Sequence, residues 1–258
     1  MKFNDKAILV TGATSGIGAA AARRFGAAGA RLVISGRNSE RGGAVADEII
    51  AAGGEAHFIA ADLGDSAACD RLVAAAVDRL GRLDVLVNAA GVIFRADALE
   101  TSDAAWRETM AVNVDAVFYL SRAALGVMKT QARIQGRRGA IVNVASTAAL
   151  TASNGMAAYC ASKGAVMLLT RAMARDHGGD GIRINAVCPG DVITPMLENE
   201  AHQIGMEPAA MYAESVAGTP LGRIGVPEDI AGAILFLASD DAGLISGAGL
   251  VLDGASSA

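Results

Sequence analysis

Short, unbroken apolar runs alternate along this chain with longer stretches whose apolar residues recur at helical spacing. The runs at 7–10, 31–35, 56–60, 85–88, 140–144, 182–187 and 249–253 predict seven strands. Between them, 16–28, 40–52, 66–80, 102–128, 159–176 and 228–238 predict helices, the third opening on Ser66 as N-cap. Strand centres such as Leu32-Val33-Ile34 and Val85-Leu86-Val87 are apolar throughout rather than alternating. Such strands are covered on both faces, as in a parallel sheet between helices. With right-handed crossovers, the expected fold class is α/β: a doubly wound, mostly parallel seven-stranded sheet with helices on both faces. Its functional crevice lies beyond the carboxyl ends of the strands.

Composition narrows this further. The chain has 258 residues, of which 52% are hydrophobic and 19% charged, and no Pro/Ser-rich or charged linker interrupts it, so one domain spanning 1–258 is expected. A net charge of −5 without a basic patch argues against a nucleic-acid partner. The polar start, Met1-Lys2-Phe3-Asn4-Asp5, does not read as a secretory leader, and apolar runs such as 230–238 are too short to cross a bilayer, so no membrane partner is expected. Three widely spaced cysteines, Cys69, Cys160 and Cys188, read as reduced, mostly buried thiols of a cytoplasmic protein rather than a disulfide frame or zinc site. For Cys160, beside Tyr159, packing is a better reading than a reactive thiol.

The first strand runs into Thr11-Gly12-Ala13-Thr14-Ser15-Gly16-Ile17-Gly18. The spacing differs from G-x-G-x-x-G, but the mechanics are shared: a sharp turn out of the strand, close approach to a pyrophosphate, and helix-opening N–H groups facing its charge. Alone, such a turn is as often a tight corner as a nucleotide site. Context adds weight. Asp62, followed by Leu63, comes after the third strand, where its carboxylate can accept from an adenine amino group; Asn88-Ala89-Ala90-Gly91 follows the fourth and leaves room for a ribose. An NAD-type site places a carboxylate about 20 residues past the glycine turn. Gly36 stands there instead, with Arg37 after it, an arrangement that suits a 2′-phosphate. NADP(H) is therefore favoured and NAD(H) remains open.

A second group can move a proton. Tyr159 and Lys163 lie one helical turn apart, with Ser146 just past the fifth strand. A free phenol has a pKa near 10, and a neighbouring ammonium should lower it. Ser146 can hydrogen-bond a substrate oxygen where charge develops. Asn113 is a poor residue for a helix interior, and a polar duty, such as holding a water beside Lys163, would explain it. Each has a plain alternative as packed ring, snorkelling lysine or turn serine; their joint occurrence at successive strand ends is what points to redox chemistry.

These segments resemble the short-chain dehydrogenase/reductase family over essentially the whole chain. The matching residues are Thr11-Gly12-x-x-x-Gly16-Ile17-Gly18, Asp62, Asn88-Ala89-Ala90-Gly91, Asn113, Ser146, Tyr159-x-x-x-Lys163 and Pro189-Gly190-Asp191-Val192-Ile193-Thr194. The stretches 220–223 and 252–254 are also typical. The resemblance implies a Rossmann-type fold and a catalytic tetrad of Asn113, Ser146, Tyr159 and Lys163. It implies that Val192 and Thr194 contact the nicotinamide carboxamide, while the 12–18 turn, Tyr159 and Lys163 also hold the cofactor. It further implies a homotetramer. The chain departs from the family in Ala145 before Ser146, in a longer 129–138 segment, and in a tail lacking an aromatic after Asp253-Gly254.

The expected reaction is hydride transfer between a nicotinamide cofactor and a small ketone or secondary alcohol. Residues 191–219 should form the lid, with Met196, Leu197, Ile204, Met206, Met211 and Tyr212 near Val92-Ile93-Phe94; half of these side chains are expected merely to pack the lid down. Glu198, Glu200 and His202 can bond sugar hydroxyls, although a solvated face is the plainer reading. Two narrower substrate readings stay open: a 3-oxoacyl-(acyl-carrier-protein) reductase, for which Arg137 and Arg138 would have to meet an acidic carrier, and a sugar or polyol dehydrogenase. A non-catalytic NADP(H)-sensing protein is the alternative of another class, disfavoured because both Tyr159 and Lys163 are present.

Overall fold

Strands β1 (Ala7–Thr11), β2 (Arg31–Gly36), β3 (Glu55–Ala60), β4 (Val85–Asn88), β5 (Gly139–Val144), β6 (Ile182–Pro189) and β7 (Gly249–Leu252) form one sheet in the computed structural model, ordered β3-β2-β1-β4-β5-β6-β7. Every neighbouring pair is parallel. The structure describes residues 3–134 and 136–258. Met1 and Lys2, part of the polar start, and Gln135, within the 129–138 segment, lie outside them.

Two-sided burial, which the unbroken runs predict, is observed in the five inner strands, while the edge strands β3 and β7 are partly exposed. Ile8, Val10 and Ile34 project to one face and pack with α1 (Gly16–Ala27), α2 (Ser39–Ala51) and α9 (Pro227–Ala238) through Ala21, Phe25, Ile49 and Ile234. Leu9, Val33 and Leu86 project to the other face, against α3 (Ser66–Leu80), α5 (Ala116–Thr130) and α6 (Ala157–His177) through Leu72, Leu120 and Met173. Each such buried aliphatic chain contributes about 1.5–3 kcal/mol.

Three local expectations are corrected. The N-cap of α3 is Asp65, whose carboxylate accepts from Ala67 N at 3.3 Å and Ala68 N at 3.0 Å; Ser66 is the first helical residue. The helix expected over 102–128 is α4 (Asp103–Met110) and α5 joined by one wide π turn, Ala111–Asp115, closed by Ala116 N–H on Ala111 O. The continuous stretch Asp103–Thr130 is also long and apolar enough to cross a membrane by length and composition, which the reading of short apolar runs missed; in the fold Ala116, Leu120, Ala124 and Met128 face the sheet.

Within the 129–138 segment, Lys129 and Thr130 end α5, and Ile134 and Arg137 exchange backbone hydrogen bonds. Arg133 donates to Gly179 O and Arg138 to Asp180 O, so it clasps the turn between α6 and β6 at the amino end of the strands. Arg137 pairs with Asp240 there. Arg137 and Arg138 thus stand just before β5, engaged with Asp240 and Asp180 O.

The lid is two helices, α7 (Pro195–Gln203) and α8 (Pro208–Ala217). Leu197, Ala201, Met211 and Ile224 form its own small core, with Met206 and Tyr212 packed on it.

Candidate active site

A cavity of about 380 Å³ opens at the carboxyl ends of the strands, on both sides of the switch between β1 and β4. Its walls come from the turn after β1, the ends of β2 and β3, the loops after β4 and β5, one face of α6, and the lid.

At one end lie Gly12, Thr14, Ser15, Gly16, Ile17 and Gly18. The turn requires its glycines. Gly12 has φ +66°, and a side chain there would come within 2.5 Å of Ala90 N; one on Gly18 would come within 2.3 Å of Gly12 O. The backbone thus folds tightly on itself and opens α1 toward the cavity, where its unpaired N–H groups favour an anion. No side chain caps that helix start, which leaves those N–H groups for a ligand. This cradle, with Asp62, Leu63, Ala89, Ala90, Gly91, Val192 and Thr194 along the same cavity, fits a dinucleotide. Asp62 also holds its own turn, accepting from Gly64 N at 3.2 Å.

Asn88 is set back from the cavity. It is buried, and its Nδ2 donates to Asn143 Oδ1 at 2.9 Å and Ser121 Oγ at 3.2 Å, inside a polar chain that Asn143 extends to Thr170. Its side chain therefore links β4 to β5 and α5 instead of touching a ribose.

Past β2, Gly36, Arg37 and Asn38 line the cavity, and so does Arg41, which the sequence reading did not single out. Asn38 caps α2 by accepting from Arg41 N at 2.8 Å, turning the first helical turn, and Arg41 with it, toward the cavity. Among the described residues neither Arg37 nor Arg41 makes an ion pair. The cap signal Asn38, three residues before an arginine, was the available clue.

Ser146, Tyr159 and Lys163 meet at the other end of the cavity. Lys163 Nζ lies 5.5 Å from the centroid of the Tyr159 ring and donates to Val144 O at 2.9 Å. Ser146 Oγ accepts from Ala148 N at 3.1 Å, which fixes the hydroxyl at the end of β5. Asn113 is fully buried and does not line the cavity. Its Oδ1 accepts from Val92 N at 2.8 Å, and its Nδ2 donates to Val92 O at 2.9 Å and Ser162 Oγ at 3.0 Å. Its side chain is thus committed to backbone and to Ser162, and it acts as a positioning residue. Ser162, also unforeseen, donates in turn to Tyr159 O at 2.7 Å.

Desolvation works against the expected acidification of the phenol. Burial pushes Tyr159 up to about 12, with the Ser146 hydroxyl drawing it partly back and the Glu200 charge raising it further. Burial likewise pushes Lys163 down to about 8. In both groups desolvation is the leading cause. The cysteines read as expected: all three are free, Cys69 and Cys188 are buried, and burial raises Cys69 to about 11 and moves Cys188 upward.

Of the lid residues, Met196, Leu197 and Glu200 line the cavity, joined by Val92, Ile93, Ser153 and Met156. Ile204 is exposed, as are Glu198, which accepts from Tyr212 Oη at 3.1 Å, and His202. Glu200 is buried, contrary to the solvated-face reading.

Comparison with known proteins places this site in context. Residues 12–256 match the family described as enoyl-(acyl carrier protein) reductase. The chain is 42% identical to the meso-2,3-butanediol dehydrogenase of Serratia marcescens, covering 100% of this chain and 97% of the relative. It is also 42% identical to the galactitol 2-dehydrogenase (L-tagatose-forming) of Cereibacter sphaeroides, covering 95% and 92%. The crystal structure of levodione reductase superposes with a TM-score of 0.93 at 34% identity, covering all of both chains.

Proposed function

Since the chain belongs to the short-chain dehydrogenase/reductase family and is an NAD(P)-dependent oxidoreductase of secondary alcohols and ketones, we propose that its substrate is a small neutral diol or polyol, with NADP(H) the favoured cofactor. The convergence of Ser146, Tyr159 and Lys163 on one end of a cavity whose other end is a glycine-rich helix start carries this reading. When bound, the nicotinamide supplies the hydride-transferring carbon. The protein does the rest. Ser146 donates a hydrogen bond to the substrate oxygen and stabilises the charge developing on it. Tyr159 exchanges the proton with that same oxygen: it takes the alcohol proton during oxidation and returns one to the carbonyl oxygen during reduction. Lys163 holds a positive charge beneath the phenol, which lowers the cost of the phenolate once the site is filled. Asn113 fixes the loop at Val92 that closes the cavity over these groups.

The cofactor preference rests on Arg37 and Arg41, two guanidinium groups without an ion pair among the described residues, beside a position with no carboxylate, where a 2′-phosphate is attracted more than a plain ribose hydroxyl. The diol or polyol preference draws on the two dehydrogenases named above. We further propose a single cytoplasmic domain assembled as a homotetramer. Free thiols suit a reducing compartment; exposed Trp106, Phe118 and Leu168, and Leu250 and Val251 on the edge strand β7, supply apolar faces of the kind oligomers cover. The test is turnover of the purified chain with NADP+ and NAD+ against secondary alcohols, diols and polyols, and with NADPH and NADH against 3-oxoacyl thioesters. Highest kcat/KM on a diol or polyol supports the reading. Thioester reduction exceeding all alcohol activity replaces it with the acyl-carrier reading, and cofactor binding without any turnover replaces it with a sensing protein.

A further inference from the structure

Three acidic or basic side chains stand on the lid helix within one turn of each other, and the fold separates them. Glu198 and His202 face solvent, while Glu200 turns inward, 8% exposed, and lines the substrate end of the cavity. Its Oε1 accepts from Arg95 Nη1 at 2.9 Å, across the gap between α7 and the loop after β4. Two more bonds fix that junction: Gln203 Oε1 accepts from Arg95 N at 2.7 Å, and Gln203 Nε2 donates to Ile93 O at 3.2 Å. The carboxylate is therefore held in place on a strapped helix. Its other oxygen, Oε2, has no hydrogen-bond partner among the described residues.

Two carboxylates, Glu200 and Asp191, line this end of the cavity together with the Lys163 ammonium. Arg95 offsets Glu200 from behind and does not itself line the cavity, whereas Asp191 does. Burial and Asp191 raise the Glu200 pKa, and Arg95 opposes them. Glu200 is also close enough to Tyr159 for its charge to raise the phenol. A fixed acceptor within electrostatic reach of the proton-transferring hydroxyl meets whatever substituent the substrate carries beside its reacting carbon.

We propose that Glu200 is a specificity-determining substrate-binding residue: its free oxygen accepts a hydrogen bond from a second hydroxyl of a neutral polyhydroxylated substrate, and its charge rejects substrates bearing a carboxylate. This rests on the redox reading of the site and adds which alcohols it takes. A hydroxyl donates to a carboxylate, and a bond to a charged group is stronger than one between neutral groups. A carboxylate on the substrate has no proton to donate at neutral pH and meets Glu200 and Asp191 as like charges.

Three four-carbon probes isolate the feature: butane-2,3-diol has the second hydroxyl, butan-2-ol lacks it, and 3-hydroxybutyrate carries a carboxylate, with galactitol as a longer polyol. For the unaltered chain, kcat/KM on butane-2,3-diol or galactitol should exceed that on butan-2-ol by about tenfold or more, the scale of a hydrogen bond to a charged group, with 3-hydroxybutyrate poorest. In Glu200→Ala the loss on the polyhydroxylated substrate should exceed the loss on butan-2-ol by about ten- to a hundredfold, chiefly in KM. Glu200→Gln keeps an acceptor without the charge and should gain activity on 3-hydroxybutyrate, and it carries the test if the alanine variant, with Arg95 left unpaired, fails to fold. The inference is overturned if the unaltered chain does not distinguish butan-2-ol from either polyhydroxylated probe. It is equally overturned if all substrates fall together in Glu200→Ala, the signature of a strap alone, or if Glu200→Gln leaves 3-hydroxybutyrate unused. Absence of turnover on every alcohol and carbonyl, with cofactor bound, would instead remove the redox reading itself.

Discussion

Asn113 holds both polar groups of Val92, taking its N–H at 2.8 Å and giving to its carbonyl at 2.9 Å from the wide turn between α4 and α5. A π turn places an extra residue in the helix and rotates the following side chains, a distortion that costs regular hydrogen bonding and tends to persist where a side chain needs a special direction. Here the direction is toward the loop after β4. A side chain on Gly91 would lie 3.4 Å from Asn113 Oδ1 and 3.6 Å from Lys163 Nζ, so the loop borders both groups.

Asn113→Ala should therefore damage both stability and rate. It leaves Val92 N–H, Val92 C=O and Ser162 Oγ without this partner, and orphaned buried groups cost about 1–3 kcal/mol each where water does not reach them. The melting temperature should fall by several degrees, and kcat should drop more than the KM for cofactor rises. Asn113→Asp can still accept from Val92 N–H but cannot donate to Val92 O or Ser162. Thermal unfolding and steady-state kinetics on both variants check the ordering, with Asn113→Asp no better than Asn113→Ala if the two donated bonds matter most.

Tyr159→Phe removes the hydroxyl assigned to exchange the substrate proton while preserving the ring against Lys163. The rate should fall by about 10²–10⁴, the usual worth of a positioned acid–base group. Cofactor affinity, measured by fluorescence titration, should stay close to that of the unaltered chain. An undiminished rate would mean that another group moves the proton.

Lys163 illustrates function opposing stability. Its folded pKa, about 8, lies below the ordinary lysine value of 10.5, so the folded state binds fewer protons than the unfolded state between those values. Stability of the ligand-free protein from this group therefore rises with pH across that window, and the cost of burying the ammonium is fully present below about 8. Lys163→Met keeps the length and removes the charge. At neutral pH it should raise the melting temperature by a few degrees, on the scale of about 2–4 °C per kcal/mol for a chain of this size, and abolish turnover. The gain should vanish above pH 10.5, which a pH series of thermal melts of the ligand-free protein reads directly.

What the sequence disclosed follows from how each feature is encoded. The strands were legible because burial on both faces leaves unbroken runs such as Leu32-Val33-Ile34. The glycine turn was legible because its conformation excludes other residues. Other features depend on tertiary packing. Ser66 and Asp65 are equally good caps by chemistry, and only the chain's path chooses Asp65. Nothing in Met110-Ala111-Val112-Asn113-Val114 marks a π turn except an asparagine out of place. Glu198, Glu200 and His202 are indistinguishable as a charged helical stretch until α7 docks by Leu197 and Ala201, which turns Glu200 inward. Asn88 sits in a motif beside the ribose position, yet its side chain closes a network behind the sheet, because neighbours Asn143 and Ser121 are distant in sequence.

Arg37 and Arg41 together set the cofactor prediction. Both line the cavity on the helix α2 side, both are exposed, and neither is engaged in an ion pair among the described residues. A phosphate dianion gains a charge-assisted hydrogen bond from each guanidinium, worth about 1.5–3 kcal/mol for a bond to a charged group. Arg37→Ala or Arg41→Ala should each raise the KM for NADP+ by about tenfold or more, and the double variant more still if the two share one phosphate. The KM for NAD+, which offers only a ribose hydroxyl there, should change little in any of the three. The ratio of kcat/KM for the two cofactors is the measurement. If removing both arginines leaves that ratio as it was, the 2′-phosphate is not bound at this end of the cavity and the preference for NADP(H) falls.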